Sequence, residues 1–545
     1  MWGNGAWPCT GSPACEKHSP ADGTLGTAGA AIKSIDPILF TDTEGGLIAW
    51  NLFEGLISPA RQSGGPYEQG VAESWELSAD GRTWTFHLRA DARWSNGRAV
   101  TADDFVYAWL RKLDPAVAAQ GAGDLYWIDG AEAYNQGKSR DPKSVGVRAV
   151  DPRTLEVRLL CPSALWPSYL AGGAYLPVPR EAIEQWGSHW MEPEHIVTNG
   201  PYHLVTYAER DRLELVRSET YWDKANVQIP RVVYYVAEGE AKVRTLYDAG
   251  QVQWGRGAVD PPSVPKLVAE QAPDFLIDPQ LCLYMYVFNV EQPPFDDVRV
   301  RRAFAQALDR EQLVSSVSKA MQEPADGPVP SVFDRTQGFP GVAGPTFDPT
   351  KARAALADAG YPGGHGFPDT HILYNTMESH RMLAEYLARS LSEVLGVPAK
   401  AENMEWKSLM SKAESGEYGI ARMGICATDT PFSFLEMFES KNARNYMRYK
   451  NKTFDDLFAR YRCEADPVEA GKVGAAAEAE VIRDLPILPV YYYTRYFLKL
   501  PVLQGLEPHL EDMHPFKYMW WADTQKAPAP HPMPELARQA APKAP

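Results

Sequence analysis

The side chains that do chemistry are present in this sequence, but their spacing assembles no reaction centre. Adjacent carboxylates occur at Asp103/Asp104, Asp296/Asp297 and Asp455/Asp456. These pairs open helical stretches, where acids complement the positive end of the helix dipole. Capping therefore explains them better than general acid–base work. A glycosidase needs two carboxylates facing each other across a cleft, a relation that spacing along the chain does not establish. His189 and His195 are near one another, yet no acidic or Cys partner stands at ligand spacing, and no metal site is expected. The six cysteines form no CxxC and no zinc-finger pattern. Cys9 and Cys15 lie in a Gly/Pro/Ser-rich start, as a local bridge or as free thiols. HExxH, a P-loop, G-x-S-x-G and a helix-opening G-x-G-x-x-G are absent. No enzyme and no cofactor are expected from these residues.

The elements that must position any site alternate without a regular βαβ repeat. RTWTFHLRA sets Trp84, Phe86 and Leu88 against polar neighbours, the alternation of a half-buried strand. TLEVRLL repeats it with Leu155, Val157 and Leu159. RLELVRS, RVVYYVA, LCLYMYVFNV and the late run ILPVYYYTRYFLKL are further strands. Thr101 precedes ADDFVYAWLRKL, with acids in the first turn and bases in the last, so a capped helix is expected there. DVRVRRAFAQALDREQLVSSVSKA reads as one helix and TFDDLFARYRC as another. SHRMLAEYLARSLSEVLG places Leu383, Leu387, Leu391, Val394 and Leu395 on one face and stops at Gly396. The mixture predicts a mixed α/β or α+β fold in several lobes.

At 545 residues the chain exceeds a single core. Its net charge of −16, with no Lys/Arg run, argues against nucleic acid. Mean hydropathy is −0.35 and no apolar run reaches membrane-spanning length. The first residues lack the basic and apolar regions of a signal peptide; a lipid anchor at Cys15 would need that apolar segment. Residues 1–30 read as a flexible lead-in and 526–545 as a disordered Pro/Ala-rich tail.

Several phrases occur together and in order: LFEGL at 52–56, GVAESWELSADGRTWTFHLRADARWSNGRAVTADDFVYAW at 70–109, VTNGPYHL at 197–204, ETYWD at 219–223, PPFDDVRVRRAFAQALDRE at 293–311, MEWKSL at 404–409 and LPILPVYYY at 485–493. This set resembles the periplasmic oligopeptide-binding proteins, the peptide/nickel family of ABC-transporter receptors, over about residues 34–523. The resemblance implies a fold like type II periplasmic binding proteins with three lobes: lobe I at 31–54, 178–277 and 490–525, lobe II at 55–177, and lobe III at 278–489. It places a ligand between lobes I/II and lobe III, with two hinge crossings near Pro279 and Val490. The implied activity is capture of an oligopeptide outside the cytoplasm, in the periplasm or cell envelope. The protein is expected to act as a monomer and to hand its ligand to an ABC permease and its ATPase. Alternatives are a non-peptide or modified-peptide ligand, or a hydrolase using the same cleft. The WSNG and TNGPY turns, and Trp75, Trp84 and Trp94, read as fold markers and core.

The resemblance also implies site residues. Cys282 and Cys426 match a disulfide pair, worth about 4–5 kcal/mol in chain entropy for so long a loop. Cys161 and Cys463 have no such match and are expected to be free and buried. The family grips the peptide ammonium with an Asp in the loop corresponding to ARMGICATDTPFSFLEMF. Here the loop is one residue shorter. The anchor falls on Thr428 or Ala427, and the acid present is Asp429. Either Asp429 reaches the amine or the ligand lacks a free α-amine there. Arg422 matches a position serving the ligand's carboxylate, against the alternative of an internal ion pair. Trp406 and His380 match pocket-lining positions, against core packing for Trp406 and a cap or surface place for His380. Of Tyr284 and Tyr286, one is expected to face the ligand.

Overall fold

The computed structural model describes residues 13–59, 67–426, 430–506, 509 and 512–525. The expected tail and residues 1–12 of the expected lead-in lie outside them. The chain divides into two units. Unit 1 holds the residues up to Asp260, Lys266–Asp278 and those from Arg495 on; unit 2 holds Pro279–Thr494 with Pro261–Pro265.

Unit 1 contains β1 (Leu25–Gly29), β2 (Ala72–Leu77), β3 (Thr83–Leu88), β4 (Val147–Asp151), β5 (Thr154–Arg158), β6 (Tyr202–Ala208), β7 (Arg212–Arg217), β8 (Arg231–Val236) and β9 (Trp254–Arg256). One sheet runs β9–β1–β8–β7–β6, with β1 parallel to both neighbours and the remaining pairs antiparallel. A second, antiparallel sheet runs β2–β3–β5–β4. β1 corrects the reading of residues 1–30 as flexible, because Leu25–Gly29 is a buried strand. Its glycines are there for close approach: a Cβ on Gly26 would lie 2.0 Å from the Gln251 carbonyl oxygen. Small residues that suggest flexibility are here a condition of packing.

The helices of unit 1 include α1 (Thr43–Leu52) and α2 (Ala102–Leu113). Asp104, in the first turn of α2, accepts the Thr101 N–H (2.8 Å), Trp94 Nε1–H (3.1 Å) and Arg98 Nη2–H (2.7 Å). The Asn-Gly turn, with Gly97 at φ 87°, brings Arg98 back to that cap. Trp75 and Trp94 are buried and Trp84 is half-buried. The phrases LFEGL, TNGPY and ETYWD meet at Glu54. Its carboxylate accepts Tyr221 O–H (2.5 Å), Trp222 Nε1–H (2.6 Å) and Lys517 Nζ–H (3.2 Å). The Asn199 amide accepts the Glu54 N–H at 3.1 Å and donates to its carbonyl at 2.9 Å.

Two long strands cross between the units. β10 (Phe275–Phe288) leaves unit 1 after Asp278, and β14 (Ile487–Lys499) re-enters it at Arg495. Within unit 2, β11 (Thr370–Asn375), β12 (Ala399–Met404) and β13 (Ile420–Cys426) join β10 in the order β12–β11–β13–β10. The first two pairings are parallel and β13–β10 is antiparallel. The helices are α3 (Val298–Ala307), α4 (Glu378–Leu395), α5 (Trp406–Ser415), α6 (Lys452–Arg462) and α7 (Pro467–Asp484). Leu383, Leu387, Leu391 and Leu395 of α4 enter a core with Phe288, Phe304 and Phe367. Each such side chain contributes about 1.5–3 kcal/mol by burial. Gly396, at φ 71°, ends α4 with its N–H on the Leu391 and Ser392 carbonyls.

The single helix expected over 297–320 is broken. α3 stops at Ala307, and the Asp309 side chain caps a new turn by accepting the Gln312 N–H at 2.9 Å. The break lets the buried Arg310 donate to the Pro489 (2.8 Å) and Ala305 (3.2 Å) carbonyls. α7 escaped the sequence reading because its Ala/Gly/Glu-rich run shows little contrast between faces. Asp466 caps it, accepting the Val468 and Glu469 N–H groups at 2.9 and 3.0 Å. Glu478 on α7 is buried and accepts the Val329 and Val342 N–H groups at 3.2 and 3.1 Å. Burial pushes its carboxyl up to about 8.

Candidate functional site

The β10–β13 register gathers the candidate residues of unit 2. Cys282 faces Cys426, Tyr284 faces Gly424, and Tyr286 faces Arg422. Side chains two apart on a strand share a face, so all these positions lie on one side of the sheet. Tyr284 and Tyr286 therefore share one face and do not divide between two. The register is closed at one end by the Cys282–Cys426 disulfide, S–S 2.01 Å.

Arg422 is the charged centre of this face. Gly424 has no side chain, and a Cβ there would come within 3.3 Å of Arg422 Nη2. The guanidinium instead lies over the Tyr284 ring, 4.8 Å from its centroid. Its Nη2 donates to Tyr493 Oη at 2.8 Å and its Nη1 to Asn375 Oδ1 at 3.4 Å. Its Nε is buried without a hydrogen-bond partner. Among the described residues no carboxylate pairs with Arg422, so the internal ion pair weighed from the sequence is not found. The Tyr284 and Tyr286 hydroxyls are buried, have no well-formed hydrogen bond, and interact electrostatically with one another and with Arg422. Burial keeps both phenols protonated.

His380, on α4, is buried, with its ring 5.5 Å from that of Tyr284. It is neither a cap nor a surface residue. Burial first, and the Arg422 charge second, push its imidazole down to about 4. It is neutral at physiological pH, and its Nδ1 has no partner. The face is completed by Tyr491 and Tyr493, 5.3 Å apart, with Tyr491 5.0 Å from Tyr284. The sequence reading missed these two and Asn375. The YYYTRY alternation was their signal, since residues two apart on β14 must share a face.

Other expected positions lie elsewhere. Trp406 opens α5 and is 46% exposed, so it is not core. Glu405 caps that helix, accepting the Lys407 N–H at 2.7 Å. Ala427, Thr428 and Asp429 lie outside the described residues. Cys161 and Cys463 correct the expectation of free buried thiols: both are disulfide-bonded, with Cys161 half-buried and Cys463 exposed. Solvent access, which a buried thiol lacks, permits oxidation. No described helix is long and apolar enough to cross a membrane.

This half-buried cation beside neutral phenols and an imidazole holds no nucleophile–base pair. A guanidinium with such neutral neighbours can pair with an anionic group. The family described as bacterial extracellular solute-binding proteins, family 5 middle, matches residues 67–446, more than half of the chain. The periplasmic oligopeptide-binding protein OppA of Escherichia coli strain K12 is 35% identical over 483 residues, 88% of each chain. The dipeptide-binding protein DppE of Bacillus subtilis is 32% identical over 87% of this chain and 86% of its own. The solved Escherichia coli murein tripeptide binding protein MppA superposes with TM-score 0.76 at 30% identity, covering 91% of this chain and 98% of that one. Haemophilus influenzae OppA in complex with RPPGFSPFR gives TM-score 0.74 at 28% identity, covering 93% and 100%. Sequence and fold agree: the chain belongs to the family-5 bacterial extracellular solute-binding proteins.

Proposed function

We propose that this protein is the solute-binding component of an ABC importer that captures oligopeptides outside the cytoplasm. It delivers them to a membrane permease and its ATPase. The names of the relatives, oligopeptide- and dipeptide-binding, support the ligand class. The observation that carries the reading in this chain is Arg422, a half-buried guanidinium whose partners among the described residues are neutral. A peptide carboxylate would supply the missing charge through paired hydrogen bonds. Tyr284, Tyr286, His380 and Tyr493 would border it with groups that accept varied side chains through bridging water. In this reading unit 2 is lobe III, β10 and β14 are the hinge, and Asp429 takes the peptide ammonium. The protein performs no covalent step. Ligand shifts it toward the state the permease recognises, and it acts as a monomer in the periplasm or cell envelope.

Mass spectrometry of gently denatured, purified protein tests the ligand class. Short peptides of mixed sequence are expected, whereas turnover of peptide or sugar into product would contradict a binding role. A modified peptide without a free α-amine is a second reading, favoured by the shortened loop around Asp429. Asp429→Asn separates the two. It should weaken peptides with free amines and spare N-acetylated ones if Asp429 is the anchor. Equal affinity for both removes it from that role.

A further inference from the structure

We propose that Asp278, Asp512 and His514 form a buried site for one divalent first-row transition cation. All three belong to unit 1 and are at most 4% exposed. Asp278 is the last residue of unit 1 on β10, while Asp512 and His514 stand two apart near the end of the described chain. His514 Nε2 lies 3.3 Å from Asp278 Oδ2 and 3.2 Å from Asp512 Oδ1.

In each carboxylate one oxygen accepts a well-formed hydrogen bond and the other accepts none among the described residues. Asp278 Oδ2 accepts the His509 N–H at 3.2 Å. Asp512 Oδ2 accepts Arg256 Nη2–H at 2.5 Å and also meets the Arg495 guanidinium. Asp278 Oδ1, Asp512 Oδ1 and His514 Nε2 are buried without hydrogen-bond partners, and the three residues can offer ligand atoms within 4.8 Å of one another. Carboxylate oxygens and an imidazole nitrogen drawn this close at one buried point, without well-formed hydrogen bonds among the described residues, suit a shared cation.

Charge points the same way. With Asp278, Asp512 and Glu44 all ionised there are three negative charges, and Glu44 binds Arg256 Nη1 at 2.6 Å. Arg256 and Arg495 supply two positive ones, leaving an excess negative charge in the interior. A mixed oxygen–nitrogen donor set without thiolate suits Zn²⁺ or Mn²⁺. The two guanidiniums and the His509 N–H would then be the outer partners that orient the ligating carboxylates. The His514 ring is held edge-on by Trp254 and Phe497, 5.3 and 5.6 Å away. Such an ion would pin the C-terminal segment to β10 where that strand leaves unit 1. The competing occupant is a proton on His514, which satisfies the same charge.

The test uses full-length protein stripped with chelator and titrated with Zn²⁺, Mn²⁺ and Co²⁺. One equivalent is expected to bind at micromolar concentration or tighter, raise Tm by several degrees, and give a Co²⁺ visible absorption band. His514→Gln and Asp278→Asn should abolish band and Tm response while far-UV circular dichroism is unchanged. If either variant fails to fold, X-ray absorption of Zn²⁺ on the wild type decides, with an N/O shell without sulfur expected. Absence of a bound equivalent, retention of it by folded His514→Gln, a sulfur or water-only shell, or stability that responds to pH but not to metal would overturn the site.

Discussion

Lys517 in unit 1 and Arg422 in unit 2 are both cations withdrawn from water, and they differ in what they meet. Lys517 lies against Glu54, whose remaining capacity is taken by Tyr221 and Trp222. Arg422 meets a phenol, an amide and the face of a ring, all neutral. The first set is closed, and its charges serve the fold. The second contains no carboxylate among the described residues, and in the proposed reading the ligand's anion completes it. Burial of charge alone therefore does not mark a binding site.

The largest effect should come from breaking the closed set. Lys517→Met leaves Glu54 buried and unpaired and should cost about 3–5 kcal/mol in chemical denaturation. Peptide affinity of the folded molecules should stay unchanged. A loss below about 1 kcal/mol would mean that the Glu54 network is not closed. Arg422→Met should do the reverse. It removes a cation whose partners among the described residues are neutral, so denaturation should show a change within about 1 kcal/mol, of either sign. Its affinity for peptides with a free carboxylate should fall by about 2–4 kcal/mol in calorimetry.

Two buried titratable groups of unit 2 sharpen the contrast through pH. Glu478 is held up at about 8 from an ordinary 4.5, so the folded state keeps a proton that the unfolded state has lost. Stability should fall as pH rises from about 4.5 to 8. Glu478→Gln, which mimics the protonated form, should flatten that slope by about 1–3 kcal/mol in denaturation series across this range. His380 is held down at about 4 from 6.5, so here the unfolded state binds the proton first. Stability should fall as pH drops from about 6.5 to 4 and rise in the opposite direction. His380→Gln should remove that slope, about 1–2 kcal/mol after allowance for solvent screening.

What the sequence disclosed was local or periodic. The cap at Asp104 and the Asn-Gly turn beside it follow from residues within one short phrase. The strands with clean alternation and the leucine face of α4 follow from period. Leu25–Gly29 was hidden because glycines needed for close packing look like those of a flexible segment. The break in the helix after Ala307 was hidden because it answers to Arg310 and the distant Pro489 carbonyl. For the site, family resemblance supplied Arg422, His380 and the two cysteines. The neutral surroundings of Arg422 among the described residues lay beyond reach, since the lack of a nearby carboxylate is a fact about space. The same holds for Asp278 and His514, far apart in sequence and adjacent in the fold. Tyr493 was within reach, had the alternation along YYYTRY been followed to the face it shares with Tyr491.

The central claim is that Arg422 waits for the ligand's carboxylate. The direct test is calorimetry of wild type and Arg422→Met with a short peptide recovered from the protein and with its C-terminal amide. The wild type should prefer the acid by roughly tenfold or more, about 1.4 kcal/mol, and the variant should bind both alike. Equal binding of acid and amide by the wild type, or a preference kept by Arg422→Met, would contradict the account.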